Sequence, residues 1–287
     1  MNRLLFLILI GILSLSFIFL NQSEISEKKC TDCHGKLIEQ EVIHASVEAC
    51  DNCHQATGKE HPQSNVKGFI LSEKVPLLCY SCHDEKNIKK NVHPPLKDGN
   101  CMTCHSAHAS SEEKLLLLEG RKLCLNCHNK STSKEGEKVS NIKQLLKKSK
   151  IIHGVIEGDG CVPCHNPHDS ENPFLLISPF PVGNYAPAKI ESFALCFNCH
   201  DSELLEIPIT QTATNFRNGD KNLHYIHING NKGRNCNNCH NVHGSLHEHL
   251  IADKVPFGNW EMRMNFILQE NGGSCLPGCH AEKKYQR

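Results

Sequence analysis

The stretch GDGCVPCHNPH, residues 158–168, places Cys161, Cys164 and His165 in one tight cluster and adds His168 only three residues later. A single metal site of ordinary size has no use for two histidines so close together. All 18 cysteines of the 287-residue chain fall into nine such pairs, and a histidine follows the second member of each. The first five are Cys30, Cys33, His34; Cys50, Cys53, His54; Cys79, Cys82, His83; Cys101, Cys104, His105; and Cys124, Cys127, His128. The other four are Cys161, Cys164, His165; Cys196, Cys199, His200; Cys236, Cys239, His240; and Cys275, Cys279, His280. Eight have two residues between the cysteines, whereas the last, CLPGCH, has three.

C-x-x-C-H is the attachment signature of haem c: two thiols add to the porphyrin vinyl groups and the adjacent imidazole takes the iron as proximal ligand. Zinc sites and disulfide frameworks also use C-x-x-C pairs. Neither needs a histidine at the same offset nine times, so nine covalently attached haems c are expected. In CLPGCH, Pro277-Gly278 is a suitable bulge to restore the sulfur spacing.

Composition agrees with a core built around haem. The aromatic fraction is 6%, with one Trp, and the apolar runs are short. At about 32 residues per haem, porphyrin faces must supply much of the buried apolar surface, and no stable fold is expected without them. Lys plus Arg and Asp plus Glu both number 31. Haem propionates would make the loaded protein acidic, which argues against a nucleic-acid partner.

Met1–Arg3 is a short positive start, and Leu4–Leu20 is an apolar run of 17 residues without a charge. This is an export segment, read either as a cleaved signal peptide, with Ser14-Leu-Ser16 as a small-x-small site, or as a retained membrane anchor. Residues 1–29 are set apart on that ground. The haem domain, residues 30–287, is then exported: periplasmic, membrane-anchored or extracellular.

The first cysteines stand 20, 29, 22, 23, 37, 35, 40 and 39 residues apart, with histidines recurring in the gaps. Four repeats emerge, about 30–61, 79–108, 124–168 and 196–243, followed by a lone C-terminal site at 275–280. The expected fold class is mostly irregular with short α-helices, a haem-cored extended array of stacked haems. Ser131–Lys150, rich in Lys, Ser and Glu, reads as an exposed excursion whose lysines form a solvated face. Leu115–Leu118 reads as haem-packing core.

An iron held by His165 has its sixth position across the porphyrin, where His168 cannot reach. His168 therefore serves another iron and ties one haem to its neighbour. Eleven histidines remain beyond the nine proximal ones: His44, His61, His93, His108, His153, His168, His224, His227, His243, His247 and His249. The first nine are the expected distal ligands, with His224 and His227, in HYIH, assigned to two different haems. His247 and His249, in SLHEHL, read as surface residues. Met262 and Met264 are the free methionines, so near-exclusive bis-histidine ligation predicts low potentials.

The phrases CMTCHSAH, CVPCHNPH and CNNCHNVH resemble the hallmark of the doubled C-x-x-C-H, cytochrome c3-like family of multihaem cytochromes c, over residues 30–280. The resemblance implies an exported electron carrier with stacked bis-histidine haems. It also implies redox partners: membrane quinol oxidoreductases, other cytochromes, terminal reductases or extracellular acceptors. CLPGCH, the seven-residue step to His61 and the odd ninth site depart from the pattern and leave the ligation of the last haem open. Electron transfer without bond chemistry is the favoured expectation. The alternatives are a small-oxyanion reductase with one open iron, which only the ninth haem could supply, and a self-assembling cytochrome filament.

Overall fold

The structure, a computed structural model, describes residues 28–62, 65–134 and 137–287. The apolar run Leu4–Leu20, expected to direct export, lies outside the described residues. No described helix is long and apolar enough to cross a membrane.

The fold is assembled from single turns. In six of the motifs the histidine amide donates to the carbonyl of the first cysteine, as from His83 to Cys79 (2.9 Å), His165 to Cys161 (3.0 Å) and His240 to Cys236 (3.0 Å). Two residues between the cysteines thus close one helical turn, which puts the first cysteine and the histidine on the same face. CLPGCH breaks this rule: the amide of His280 donates to Pro277 instead, at 3.4 Å. The regular elements between motifs are equally short. Described helices run from four residues (Leu77–Tyr80) to eight (Gly120–Cys127), and no described sheet exceeds three strands. The architecture is therefore irregular, with small helices and short strands, as expected. The C-terminal region is more strand-rich than expected, with the hairpin Lys254–Phe257/Trp260–Arg263 and the three-stranded sheet Ile267–Gln269, Gly272–Cys275, Lys283–Gln286.

Ser131–Lys150 differs from the expected excursion. It forms a hairpin, Thr132–Lys134 against Glu137–Val139, and then the helix Ile142–Lys148, capped by the Asn141 side chain on the Gln144 amide. Ile142, Leu145 and Leu146 are half-buried while Lys143, Lys147 and Lys148 are exposed, so the apolar spacing of one helix face sets the packing.

Side-chain cores are thin. Twelve apolar residues are buried among those described, in part as two clusters: Ala252, Val255, Met262 and Met264, and Phe193, Leu205 and Ile228. Large apolar side chains stay exposed in number, among them Leu77 at 61%, Ile88 at 71% and Val182 at 66%. A chain of this length with so small a core needs another apolar body to pack on.

Candidate haem sites

Eight imidazole pairs hold the molecule together. The ring centroids lie 5.8 Å apart in His34–His61, 5.9 Å in His44–His83, 6.1 Å in His54–His108 and 6.4 Å in His93–His128. They lie 6.1 Å apart in His105–His168, 6.0 Å in His153–His200, 6.3 Å in His165–His243 and 6.3 Å in His224–His240. Each pair joins the histidine of one motif to a histidine outside the motifs. A metal bound to one nitrogen of each ring at about 2 Å, with that nitrogen about 1.1 Å from its ring centre, separates the centroids by about 6 Å. The spacing therefore fits one iron between each pair. None of the 18 cysteines is paired in a disulfide, and among the described residues no three His, Cys, Asp or Glu side chains gather as a zinc site requires.

The pairing is interleaved along the chain. His168 faces His105, two motifs upstream, just as His108 faces His54 and His243 faces His165. In the other direction His44, His93 and His153, each just ahead of a motif, face His83, His128 and His200 in the motif beyond. Short antiparallel clips lock these two sets to each other: Val42–Ile43 pairs with Ala109–Ser110, Asn91–Val92 with Asp169–Ser170, and Ile151–Ile152 with Gly244–Ser245. At each clip one outer histidine donates its amide to the carbonyl of the other: His44 to His108 (2.8 Å), His93 to His168 (2.9 Å) and His153 to His243 (3.3 Å). The Pro167 and Val242 carbonyls also hold the His93 and His153 rings.

Three motifs carry an identical cradle that the sequence reading did not find. The Nδ1 of His105, His165 and His240 meets the carbonyl of Lys114 (2.9 Å), Phe174 (2.9 Å) and His249 (2.8 Å). Such a bond places the proton on Nδ1 and leaves the Nε2 lone pair for a metal. To aim that carbonyl the chain adopts left-handed backbone at two consecutive non-glycine residues: Lys114-Leu115, Phe174-Leu175 and His249-Leu250, with φ of 55–57°. The hydroxyls of Ser110, Ser170 and Ser245 pin the loop by donating to the carbonyls of Leu116, Leu176 and Ile251. The signal was present as His-x-Ser after motifs four, six and eight. His249, read as a surface residue, thus works through its backbone. Leu115 and Leu117, read as packing core, likewise give a carbonyl to Ser106 and an amide to Cys104.

Burial favours the neutral form, the one that binds metal, at six of the outer rings. Burial pushes His224 down to about 3 and His243 down to about 4, and it also lowers His93, His108, His153 and His168. The thiols lie near those of successive motifs. Cys161 raises Cys124 through a hydrogen bond, and Cys196 does the same to Cys236. Burial and then Cys30 raise Cys50; burial and then Cys101 raise Cys79, which also feels Cys53. Burial also raises Cys104, Cys164 and Cys239, each pushed further by the next motif: Cys127, Cys196 and Cys275 respectively. The nine motifs are thus neighbours in chain order.

The last two sites differ. Asn222, fully buried, donates through Nδ2 to the carbonyls of Glu203, Leu204 and Ile207 and accepts from the Tyr225 amide, so it caps and anchors the helix Leu223–Ile228 that carries His224 and His227. His224 pairs with His240 and is oriented by Thr214 Oγ1 at 3.1 Å. His280 has no imidazole opposite it among the described ring contacts; its Nδ1 meets the Ala281 carbonyl at 2.6 Å, and it lines an open cleft with Trp260, Arg263 and Pro277. Met262 and Met264 are both buried in the C-terminal cluster, and Met262 Sδ lies 3.3 Å from Cys279 Sγ.

Comparison with known proteins agrees with this construction. The doubled CXXCH motif family matches three times, over residues 44–88, 93–133 and 153–204. Each match opens on His44, His93 or His153 and spans two motifs, so this framing starts one motif later than the repeats read from the sequence. The multiheme cytochrome MtrA of Shewanella baltica (strain OS185) is 25% identical over 174 residues, covering 52% of this chain and 48% of that protein. The chain thus spans about half the length of this curated relative. Paired cysteines in closed turns, histidines at one-iron spacing and the threefold family match lead to one assignment: the chain is a multihaem cytochrome c with doubled CXXCH motifs, and haem c is its cofactor.

Proposed function

We propose that the protein is an exported nonahaem cytochrome c that carries electrons along a chain of low-potential haems between a membrane or periplasmic donor and a downstream acceptor. The observation that carries this reading is the interleaved set of eight imidazole pairs at 5.8–6.4 Å, built on motifs that are neighbours in chain order. Haem c, when bound, supplies a reversible one-electron iron couple. The protein's part would be to hold it: the cysteines of each motif would attach it, the motif histidine and its outer partner would ligate its iron, and the clips would fix the spacing of neighbouring sites. Two neutral imidazoles per iron leave no position for a substrate and favour low potentials. Attachment of haem c outside the cytoplasm and the apolar start of the chain support an exported location. Redox proteins, such as a quinol oxidoreductase or other cytochromes, are the partners that this role requires.

The test counts and inspects the irons. Intact mass and pyridine haemochrome absorbance should give nine haems per chain, low-temperature EPR should show low-spin ferric iron, and redox titration should place the potentials below those of His/Met cytochromes. Removing one outer ligand, in His93→Ala, should convert one iron per chain to high spin while the haem count holds. A haem count of eight or fewer, or an unchanged spectrum in that variant, overturns the assignment.

A further inference from the structure

The imidazole pairs obey a rule that reaches one site further than the pairs themselves. In each of the three family-matched units the opening histidine faces the proximal histidine of the unit's second motif: His44 with His83, His93 with His128, His153 with His200. A fourth unit, built of motifs eight and nine, follows with the same layout. Its opening histidine should serve His280. Offsets identify which one it is: His44, His93 and His153 precede the next cysteine by 6, 8 and 8 residues, and His227 precedes Cys236 by 9, His224 by 12. His224 already faces His240, of the first motif of this fourth unit, and so is engaged elsewhere.

We infer that His227 is the distal ligand of the haem attached at Cys275 and Cys279, opposite His280. This rests on the bis-imidazole reading above and completes it at the site where a reductase would otherwise need an open iron. Two independent chains of contacts run from His227, through intermediate residues, to the ninth motif and its flank. On one side its ring lies against Phe216 (5.8 Å, 26°), and Phe216 meets Tyr285 edge-on at 5.2 Å. Tyr285 is paired in register with Gly273, two residues before Cys275 on the strand Gly272–Cys275. On the other side the His227 carbonyl accepts the amide of Arg234 (2.8 Å), whose guanidinium reaches Cys279 Sγ at 3.7 Å. The Nδ1 of His227 donates to the Leu223 carbonyl at 2.6 Å, so Nε2 is the nitrogen left for iron. Met262 is the competing ligand, but its sulfur touches that of Cys279. Because Cys279 Sγ would carry the thioether bond to the porphyrin, a Met262 sulfur held against it would sit beside that bond and away from the iron.

The test is quantitative EPR and near-infrared magnetic circular dichroism on the holoprotein, the His227→Ala and His227→Met variants, and His247→Ala as a control. Expected are low-spin irons throughout in the native protein and in His247→Ala, and one high-spin iron per chain in His227→Ala with unchanged haem content. His227→Met should keep that iron low-spin but add a methionine-to-ferric charge-transfer band, with one potential raised. If His227→Ala fails to fold, the methionine variant decides alone. One high-spin iron in the native protein, or no spectral change in either His227 variant, refutes the assignment of His227 while the bis-imidazole reading of the other sites stands. Several high-spin irons in the native protein would refute that reading itself.

Discussion

Ser110 and Ser170 occupy the same place in two copies of the proximal-histidine cradle, yet their removal should have unequal effects. In Ser110→Ala the hydroxyl that donates to Leu116 and accepts from the Glu112 amide is lost, and no other described group donates to the Leu116 carbonyl. Losing two hydrogen bonds and leaving a half-buried acceptor unpaired costs about 2–3 kcal/mol. In Ser170→Ala the corresponding carbonyl, that of Leu176, keeps a second donor, Asn172 Nδ2 at 3.1 Å, so the cost falls to about 1 kcal/mol. Equilibrium denaturation of the holoproteins, compared at matched denaturant, should rank Ser110→Ala below Ser170→Ala. Adding Asn172→Ala to Ser170→Ala should then bring the double variant to the level of Ser110→Ala. Equal midpoints for the two single variants, or a double variant no weaker than Ser170→Ala, would refute the view that these hydroxyls act by satisfying one loop carbonyl.

Four further outcomes are expected. Asp169→Asn removes a buried carboxylate that accepts from the Ile88 and Lys89 amides and lies 3.4 Å from Lys89 Nζ; it should cost about 1–3 kcal/mol and raise amide exchange at residues 88 and 89. Gly244→Ala would put a Cβ 2.6 Å from Ser149 Oγ and weaken the clip to Ile151–Ile152, whereas Ala109→Ser at the equivalent position should melt close to the native protein. Asn222→Ala removes a helix cap and three buried hydrogen bonds, for a loss of about 2–4 kcal/mol on thermal melting. Chain made without export, and hence without haem, should show no cooperative unfolding by circular dichroism, because twelve buried apolar side chains cannot offset the backbone entropy of the domain.

The sequence by itself determined the cofactor class. Cys-x-x-Cys-His is a local device: thiols and imidazole must lie on one turn, and two intervening residues put them there whatever surrounds them. The supply of outer histidines and the irregular fold were legible for the same reason, through counts and short spacings. Three things were decided only by the tertiary structure. The partner of each outer histidine could not be read from position, because the two-residue clips pair residues 66–94 positions apart and exchange histidines between units in both directions. The cradles of His105, His165 and His240 depend on carbonyls of Lys114, Phe174 and His249, and a backbone acceptor leaves no mark in side-chain identity; only the His-x-Ser phrase hinted at it. The last sites turn on a helix held by a buried Asn222, which sets His224 against His240 and carries His227 one turn on. Local chemistry was written in the spacing of the residues, while the choice among identical imidazoles was made by whichever backbone the fold brought alongside.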